Sequence, residues 1–300
     1  MTKRRLSLPP KWTSDEFEQD RQQAISRFVH STMPSWETSY EKCFDRCYPI
    51  VWRVLEKLNF GLHLDLLGLD EEEFNVLRFL SSPHLSQDNY KTLLDTICTE
   101  EGCDKTDAAL SIAWATVDRR RFPWIDSLRE PSDTEKVAVA RWTAGIWASQ
   151  LAQTENRNRP SKRQEHAVRE VLKESGYDAS HDRGGIVLAS DLPIGEFRQS
   201  ETIVAGTKCD VPVRLRDGRL MLIECKVSNS STNSTKRLIR EVCGKADTWR
   251  RKFGDEVVLA VVLEGVFSLL NLEQAQNEYG EFIFWESRLE VLSEYLEHVK

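Results

Sequence analysis

The spacing of apolar residues changes near residue 155. Before that point they recur every three or four positions, the spacing of one buried helix face, in stretches separated by Pro34, Gly61, Pro83, Gly102 and Pro131. After residues 156–160, a polar and basic segment that contains proline, apolar runs of strand length appear. Because such a segment is typical of a linker, we predict an all-helical domain over residues 1–158 and an α/β domain over residues 159–300.

Capping signals and breakers give the predicted helices of the first domain. The Thr13-x-x-Glu16 sequence is a capping box that opens the first helix, and Pro34 is expected to open the second. The helices after the first are predicted over residues 35–58, 69–81, 86–99, 105–121 and 133–154. The basic triplet 119–121 is expected to be a solvated helix end, with phosphate contact as the alternative.

The second domain is predicted to mix helices and strands. Ser161-x-x-Gln164 is a capping box for a helix that ends near Gly176, and strand character follows at residues 186–188 and 202–204. The remaining predicted elements are a hairpin over residues 206–226, a polar loop over 228–235, a helix over 235–253, strands over 257–263 and 282–285, and a helix over 289–299.

The hairpin turns at Asp217-Gly218, a strong turn signal between two apolar runs. A two-residue loop would place Asp210 and Glu224 on opposite faces, because side chains alternate along a strand. A three-residue loop over residues 216–218, with the glycine left-handed as a bulge, pairs Asp210 with Glu224 instead.

The three-residue register gives each face of the hairpin one character. It also pairs Leu215 with Arg219, and it collects the apolar side chains of Val211, Val213, Leu215, Met221, Ile223 and Cys225 on one face. The other face carries Asp210, Glu224 and Lys226. We therefore predict this register.

Three charged groups at the end of an apolar hairpin require a reason, because buried charge is costly unless it is paired or bound to metal. Carboxylate oxygens such as those of Asp210 and Glu224 suit Mg²⁺, which proteins commonly bind through one or two carboxylates. Lys226 on the same face would orient or deprotonate an attacking water, while the metal polarises a phosphate. The alternative is an edge hairpin whose terminal charges are solvated.

This arrangement resembles the PD-(D/E)xK nuclease superfamily, in which an acid, a hairpin and Glu-x-Lys occur in this order. The resemblance implies that Asp210, Glu224 and the backbone carbonyl of Cys225 bind Mg²⁺, and that Lys226 assists the nucleophile. It also implies the α/β fold with a restriction-endonuclease-like αβββαβ core, which agrees with the predicted element order. The chain departs from the superfamily at Cys209, where a proline precedes the aspartate in the family pattern.

A further acidic residue on the first core helix is common in that superfamily. Glu165 shares the apolar stripe of Val168 and Leu172, whereas Glu170 lies on the polar side. We therefore predict that Glu165, and not Glu170, belongs to the catalytic site. The alternative is that Glu165 pairs with a neighbouring basic residue.

The positions of the charged residues favour a nucleic-acid partner, although the net charge of the chain does not. The net charge of −7 argues against such a partner, but residues 157–163 and 236–252 are basic and flank the hairpin in sequence. The polar loop 228–235 would contact sugar, phosphate or base edges, with a flexible linker as the alternative. The predicted DNA contacts are Lys162, Arg163, Asn229, Asn233, Lys236, Arg237 and Arg240.

The remaining composition indicates a cytoplasmic protein without a membrane segment. The N-terminus lacks the apolar core of a signal peptide, and no apolar run approaches the roughly 18 residues that a membrane helix requires. The seven cysteines are odd in number and contain no Cys-x-x-Cys pair. We therefore expect reduced thiols and no zinc site.

A longer stretch, from Glu224-Cys225-Lys226 through Gly244-Lys245 to the following basic residues, resembles XamI-type type II restriction endonucleases. The resemblance covers roughly residues 160–290. It implies a sequence-specific, Mg²⁺-dependent endonuclease for double-stranded DNA that acts as a homodimer on a palindrome, with a cognate DNA methyltransferase as its functional, non-physical partner. The helical half would then supply recognition or dimer contacts.

Two other functions stay open at this point. A structure- or damage-directed nuclease of DNA repair or recombination would share the site and cut without sequence preference. A catalytically silent DNA-binding module would share only the fold, and the presence of Asp210, Glu224 and Lys226 argues against it.

Overall fold

The computed structural model describes residues 7–61, 68–98, 105–182, 184–254 and 257–299. The chain is a mixed α/β protein with a helical N-terminal region and a mixed sheet. It divides into two compact units. We call Met1–Met33 with Arg157–Lys300 the sheet unit, and Pro34–Asn156 the helical unit.

Two helices are longer than the sequence predicted. Helix α1 spans Ser14–Lys57 and helix α6 spans Asp133–Glu174. The predicted second helix start at Pro34 is therefore wrong. The break predicted at residues 156–160 does not interrupt α6, which contains Pro160 although proline removes one backbone donor from a helix interior.

The grouping of the first 33 residues also differs from the predicted division at residue 158. Phe17 and Ala24 of α1 are buried in a core cluster with Leu263 and Trp285 of the sheet unit. The capping box that opens α1 is confirmed, since the Thr13 N–H donates to Glu16 at 2.8 Å and the Glu16 N–H donates back at 3.3 Å.

In its described ranges, 34–61, 68–98 and 105–156, the helical unit is mostly helical, as its periodicity predicts. Between α1 and α6 it contains α2 (Glu71–Val76), a 3₁₀ turn (Leu77–Phe79), α3 (Gln87–Ile97), α4 (Lys105–Thr116) and α5 (Trp124–Ser127). These helices share one apolar core, against which the aromatic side chains of Phe44, Tyr48 and Trp52 pack.

Arg121 is one of three charged residues buried in the described part of the helical unit, with Glu73 and Arg78. The Arg121 side chain is 1% exposed and its Nε donates to Asp118 at 3.1 Å. Its Nη1 donates to Thr143 Oγ1, and its Nη2 donates to the carbonyl oxygens of Phe79, Leu80 and Ser81. Neither the predicted solvated end nor a phosphate contact fits this residue, because its donors are already used within the core.

The described part of the sheet unit contains eight strands: β1 (Asp178–Ser180), β2 (Glu196–Arg198), β3 (Thr202–Val204), β4 (Thr207–Cys209), β5 (Val211–Arg214), β6 (Leu220–Ser228), β7 (Val258–Gly265) and β8 (Phe282–Trp285). Six form one sheet in the order β1-β2-β5-β6-β7-β8, and β3 pairs with β4 separately. Strand β5 is antiparallel to β2 and β6, whereas β7 is parallel to β6 and β8. The strand predicted at 186–188 is wrong, because only Ile186 makes an isolated bridge to Val204.

A helical segment follows the central strand β6. It consists of α7 (Ser231–Ser234), a π-helix (Thr235–Cys243) and α8 (Gly244–Phe253). The predicted polar loop is therefore wrong over 231–234, where Ser230 caps a helical turn. The helix predicted over 235–253 is confirmed, and its apolar residues Leu238, Val242, Ala246 and Trp249 are buried.

Helices cover both faces of the six-stranded sheet. One face packs against the last turns of α6 and against α10 (Glu290–His298). The other face packs against the helical segment 231–253 and α9 (Leu269–Asn277). Strand β6, between β5 and β7, is consequently buried on both sides.

Among the described cysteines, five are buried and not disulfide-bonded, namely Cys43, Cys47, Cys209, Cys225 and Cys243. Cys98 is disulfide-bonded, so the expectation of seven reduced thiols is wrong there. Within the described ranges, every helix is too short or too polar to cross a membrane.

Candidate active site

The hairpin of β5 and β6 sets the positions of the candidate catalytic residues. Val211 pairs with Ile223, and the Leu215 N–H donates to the Arg219 carbonyl at 2.8 Å. Gly218 has a φ of +89°, a conformation that glycine adopts without strain. The predicted three-residue loop and its register are therefore confirmed.

The register separates the two faces as predicted. The six apolar side chains from Val211 to Cys225 lie in one core cluster. The opposite face carries Asp210, which is 8% exposed, Glu224, which is fully buried, and Lys226. A solvated edge hairpin is excluded, because β6 is a central strand and Glu224 has no contact with solvent.

The three charged side chains touch one another. Lys226 Nζ lies 2.9 Å from Asp210 Oδ2 and 2.9 Å from Glu224 Oε2. The backbone N–H of Cys225 also donates to Asp210 Oδ2 at 2.7 Å. One ammonium thus joins the two carboxylates that the register places side by side.

Burial and mutual attraction act in opposite directions on these groups. Burial raises the pKa of Glu224, and Lys226 only partly offsets this effect. Burial alone would lower the pKa of Lys226, but the carboxylates of Glu224 and Asp210 raise it above its ordinary value. Lys226 is therefore a firmly held cation, as expected for an ammonium between two carboxylates.

A second lysine reaches the same carboxylate. Lys245 Nζ, from α8, lies 2.7 Å from Glu224 Oε2. Sequence reasoning placed Lys245 only within a basic segment. The available signal was its position beside Ala246 and four residues before Trp249, at the border of the buried stripe.

The cluster fits a divalent cation through its oxygens. Glu224 Oε1 is buried and has no hydrogen-bond partner, which is unusual for a buried polar atom. No group of three or more His, Cys, Asp or Glu side chains suited to a metal occurs in the described part of the chain. A metal here would therefore have two carboxylates and a backbone carbonyl as protein ligands, with waters or phosphate oxygens completing its shell, as is typical of Mg²⁺.

Glu165 does not touch the three central residues directly. Its Oε2 accepts a hydrogen bond from Arg169 Nη2 at 2.9 Å, and the same nitrogen donates to the backbone carbonyl of Asp210 at 3.2 Å. Glu170 instead pairs with Lys173 at 2.7 Å. The pairing of Glu165 with a basic neighbour is thus observed, and that neighbour links it to Asp210.

The residues predicted to contact DNA differ in whether their side chains already bind other groups of the protein. Lys162, Asn229, Asn233, Lys236 and Arg240 are exposed. Arg163 forms ion pairs with Glu264 and Glu286, at 2.9 Å to the latter. Arg237 donates to the backbone carbonyl of Val227. A phosphate would have to displace existing partners from Arg163 and Arg237 but not from the five exposed residues.

Known proteins resemble this chain over most of its length. The family model described as XamI restriction endonuclease matches residues 62–285. The type II restriction enzyme XamI of Xanthomonas campestris pv. amaranthicola is 30% identical over 268 residues, which are 84% of this chain and 96% of that enzyme. The crystal structure of protein VC1899 from Vibrio cholerae is 10% identical, with a TM-score of 0.30, over 85% of this chain and 56% of that one. A score that low carries no argument about the fold.

The sequence matches define the class of protein as a restriction endonuclease, an enzyme that cuts DNA. Both the family match and the curated relative extend across the helical unit and the sheet unit. The chain belongs to the XamI restriction endonuclease family.

Proposed function

We propose that this protein is a type II restriction endonuclease that uses Mg²⁺ to hydrolyse phosphodiester bonds of double-stranded DNA at a defined sequence. The observation that carries the site assignment is the unpartnered, buried Glu224 Oε1 beside Asp210 and Lys226. A buried carboxylate that keeps one free oxygen among charged neighbours is suited to a cation.

The residues of the site have distinct roles in this proposal. Asp210, Glu224 and the carbonyl of Cys225 would hold Mg²⁺, which when bound polarises the phosphate and lowers the pKa of water. Lys226 orients the attacking water and offers positive charge to the phosphate as negative charge develops there. Glu165 acts as a positioning residue, because it fixes Arg169 against the Asp210 backbone.

We assign the sheet unit to a restriction-endonuclease-like αβββαβ core. The order α6, β2, β5, β6, helical segment 231–253 and β7 supports this assignment. So does the adjacency of β2, β5, β6 and β7, with β7 parallel to β6. The helical unit would contribute recognition or dimer contacts.

The enzyme is proposed to act in the cytoplasm as a homodimer on a palindromic sequence, because a two-fold dimer supplies one site for each DNA strand. A DNA methyltransferase that modifies the same sequence would be its functional partner. DNA would be contacted by the exposed Lys162, Asn229, Asn233, Lys236 and Arg240, and by Arg163 and Arg237 after exchange of their present partners.

The test is digestion of phage DNA with the purified protein in the presence of Mg²⁺. We expect discrete fragments from the wild type and no cleavage by Asp210→Ala or Glu224→Ala, because the carboxylates hold the metal. Glu278→Ala, which removes an exposed glutamate of the same unit, is the matched control and should cut like the wild type. DNA binding by the two inactive variants should survive, since removal of a carboxylate reduces repulsion of phosphate.

Two outcomes would contradict the proposal. A smear, or cleavage confined to branched or damaged DNA, would indicate a structure- or damage-directed nuclease. Binding without cleavage under any divalent metal would indicate a silent DNA-binding module.

A further inference from the structure

Lys245 makes two strong contacts that its place on a surface helix does not require. Its ammonium donates to Glu224 Oε2 at 2.7 Å and to the backbone carbonyl of Lys208 at 2.6 Å. The side chain is 22% exposed, while Glu224 is fully buried. The charged head of a helical lysine is therefore turned inward and held by two acceptors, although such heads usually stay in water.

The two acceptors belong to the two segments that carry the candidate metal ligands. Lys208 lies in β4, two residues before Asp210, and Glu224 lies in β6. Lys245 therefore connects the backbone that leads to Asp210 with the side chain of Glu224.

A buried aromatic ring lies beside the ammonium head of Lys245. Its ammonium lies 5.7 Å from the centroid of the Trp249 ring, and Trp249 is 1% exposed with its indole N–H donating to the Val204 carbonyl at 3.1 Å. Packing thus limits the positions that the Lys245 head can reach, as a supporting residue of a precise site requires.

The contacts on Glu224 are unequal between its two oxygens. Oε2 accepts from both Lys226 and Lys245, whereas Oε1 has no partner. In the proposed function Lys226 orients water and offers charge to phosphate, so Lys245 is the cation on Oε2 that has no other task. That contact holds the carboxylate in the rotation that presents Oε1 to a metal.

We propose that Lys245 is a positioning residue of the metal site: it orients Glu224 through Oε2 and fixes the separation between Glu224 and Asp210. The inference rests on the proposed function, in which these two carboxylates hold Mg²⁺. Lys245 touches neither water nor phosphate in this role, and acts through its carboxylate partner.

Metal affinity is the direct measure of this role. We expect Lys245→Met to weaken Mn²⁺ binding to the DNA-free protein by about 10- to 100-fold, the usual effect of losing a residue that orients a metal ligand. Lys245→Arg should keep most of the affinity, because it retains charge and donors. Lys252→Met, an exposed lysine on the same helix, should bind Mn²⁺ like the wild type.

Isothermal titration calorimetry with Mn²⁺ measures these affinities, and cleavage across Mg²⁺ concentrations should show the same shift, with the Lys245→Met rate recovering at high metal. Wild-type affinity in Lys245→Met would overturn the inference. If Lys245→Met does not fold, Lys245→Gln decides on the same criterion: a 10-fold or larger loss supports the role, and wild-type affinity overturns it.

The experiment separates this inference from the proposed function. If Glu224→Ala binds Mn²⁺ as the wild type does, the metal site itself is misassigned and the proposed function fails at that step. If Glu224→Ala loses Mn²⁺ and Lys245→Met does not, only the role of Lys245 is wrong.

Discussion

Two regions of the molecule bury a charge, and they treat it differently. In the helical unit, all three guanidinium nitrogens of Arg121 donate hydrogen bonds to core acceptors. In the sheet unit, Glu224 has two ammonium partners on one oxygen and none on the other. A charge that serves only stability must be fully satisfied when it is buried, so the incomplete shell of Glu224 points to a ligand.

The unsatisfied atom alone would not define a site. The buried amide of Gln164 and one oxygen of Glu281 also have no hydrogen-bond partner. Burial raises the pKa of Glu281 to about 8, so that carboxyl is mostly protonated at neutral pH and needs no cation. Glu286 Oε2 is also buried and unpartnered beside a second carboxylate, that of Glu264, but the cation there is the guanidinium of Arg163. Within the described ranges, only at Glu224 does an unpaired carboxylate oxygen coincide with a second carboxylate and two lysines.

The largest effect that we expect from a substitution is a loss of cleavage rate at Lys226. Lys226→Met should lower single-turnover cleavage by about 10²- to 10⁴-fold, the range for loss of a positioned catalytic group. Lys226→Arg should keep measurable activity if charge and orientation are what matter, since arginine is never deprotonated in proteins.

The measurement for Lys226 is the single-turnover rate across pH on a duplex that contains the recognition sequence. Equal loss in the arginine and methionine variants, with DNA affinity intact, would show that Lys226 acts as a general base. Full activity in both would remove Lys226 from the site.

The next effect concerns the stability that a buried cation gives to the helical unit. Arg121→Met should destabilise the protein by about 3 kcal/mol, because it removes the guanidinium donors from Asp118, Thr143 and three carbonyl oxygens of the core. Arg129→Met, which breaks an exposed ion pair with Glu135, is the control and should have a much smaller effect.

Urea unfolding followed by circular dichroism measures both arginine variants. Equal midpoints for Arg121→Met and the wild type would mean that the buried guanidinium does not stabilise the fold, and the contrast with Glu224 would lose its basis.

The smallest expected effect is a difference in cleavage rate between substitutions of two glutamates on α6. Glu165→Ala should slow cleavage by about 10-fold, because Arg169 loses the partner that holds it against the Asp210 carbonyl. Glu170→Ala should change the rate little, since its pair with Lys173 is exposed. Cleavage rates at saturating Mg²⁺ compare the two, and the reverse order would mean that the wrong glutamate was assigned to the site.

Local rules were sufficient for the hairpin, because side-chain alternation and turn chemistry fix its register within 20 residues. Lys245 was missed because its contact with Glu224 depends on how α8 packs over β6, which no spacing encodes. Arg121 was misjudged for a related reason, since a run of three arginines does not reveal which one turns inward. The turn at residues 231–234 was missed because serine and asparagine are as common in helix caps as in loops.

The burial of Phe17 and Ala24 in the core of the sheet unit has a consequence for how the chain can be shortened. The helical unit interrupts the sheet unit in sequence, so the sheet unit is a discontinuous domain whose first segment contains the N-terminal part of α1. A fragment that begins at residue 159 would lose Phe17 from its core and the contact between Asp20 and Arg288 at 3.0 Å. Every described strand, including the two of the acidic hairpin, lies after residue 157. A shortened chain that keeps the core of the sheet unit therefore needs the N-terminal part of α1 as well as the segment that carries the strands.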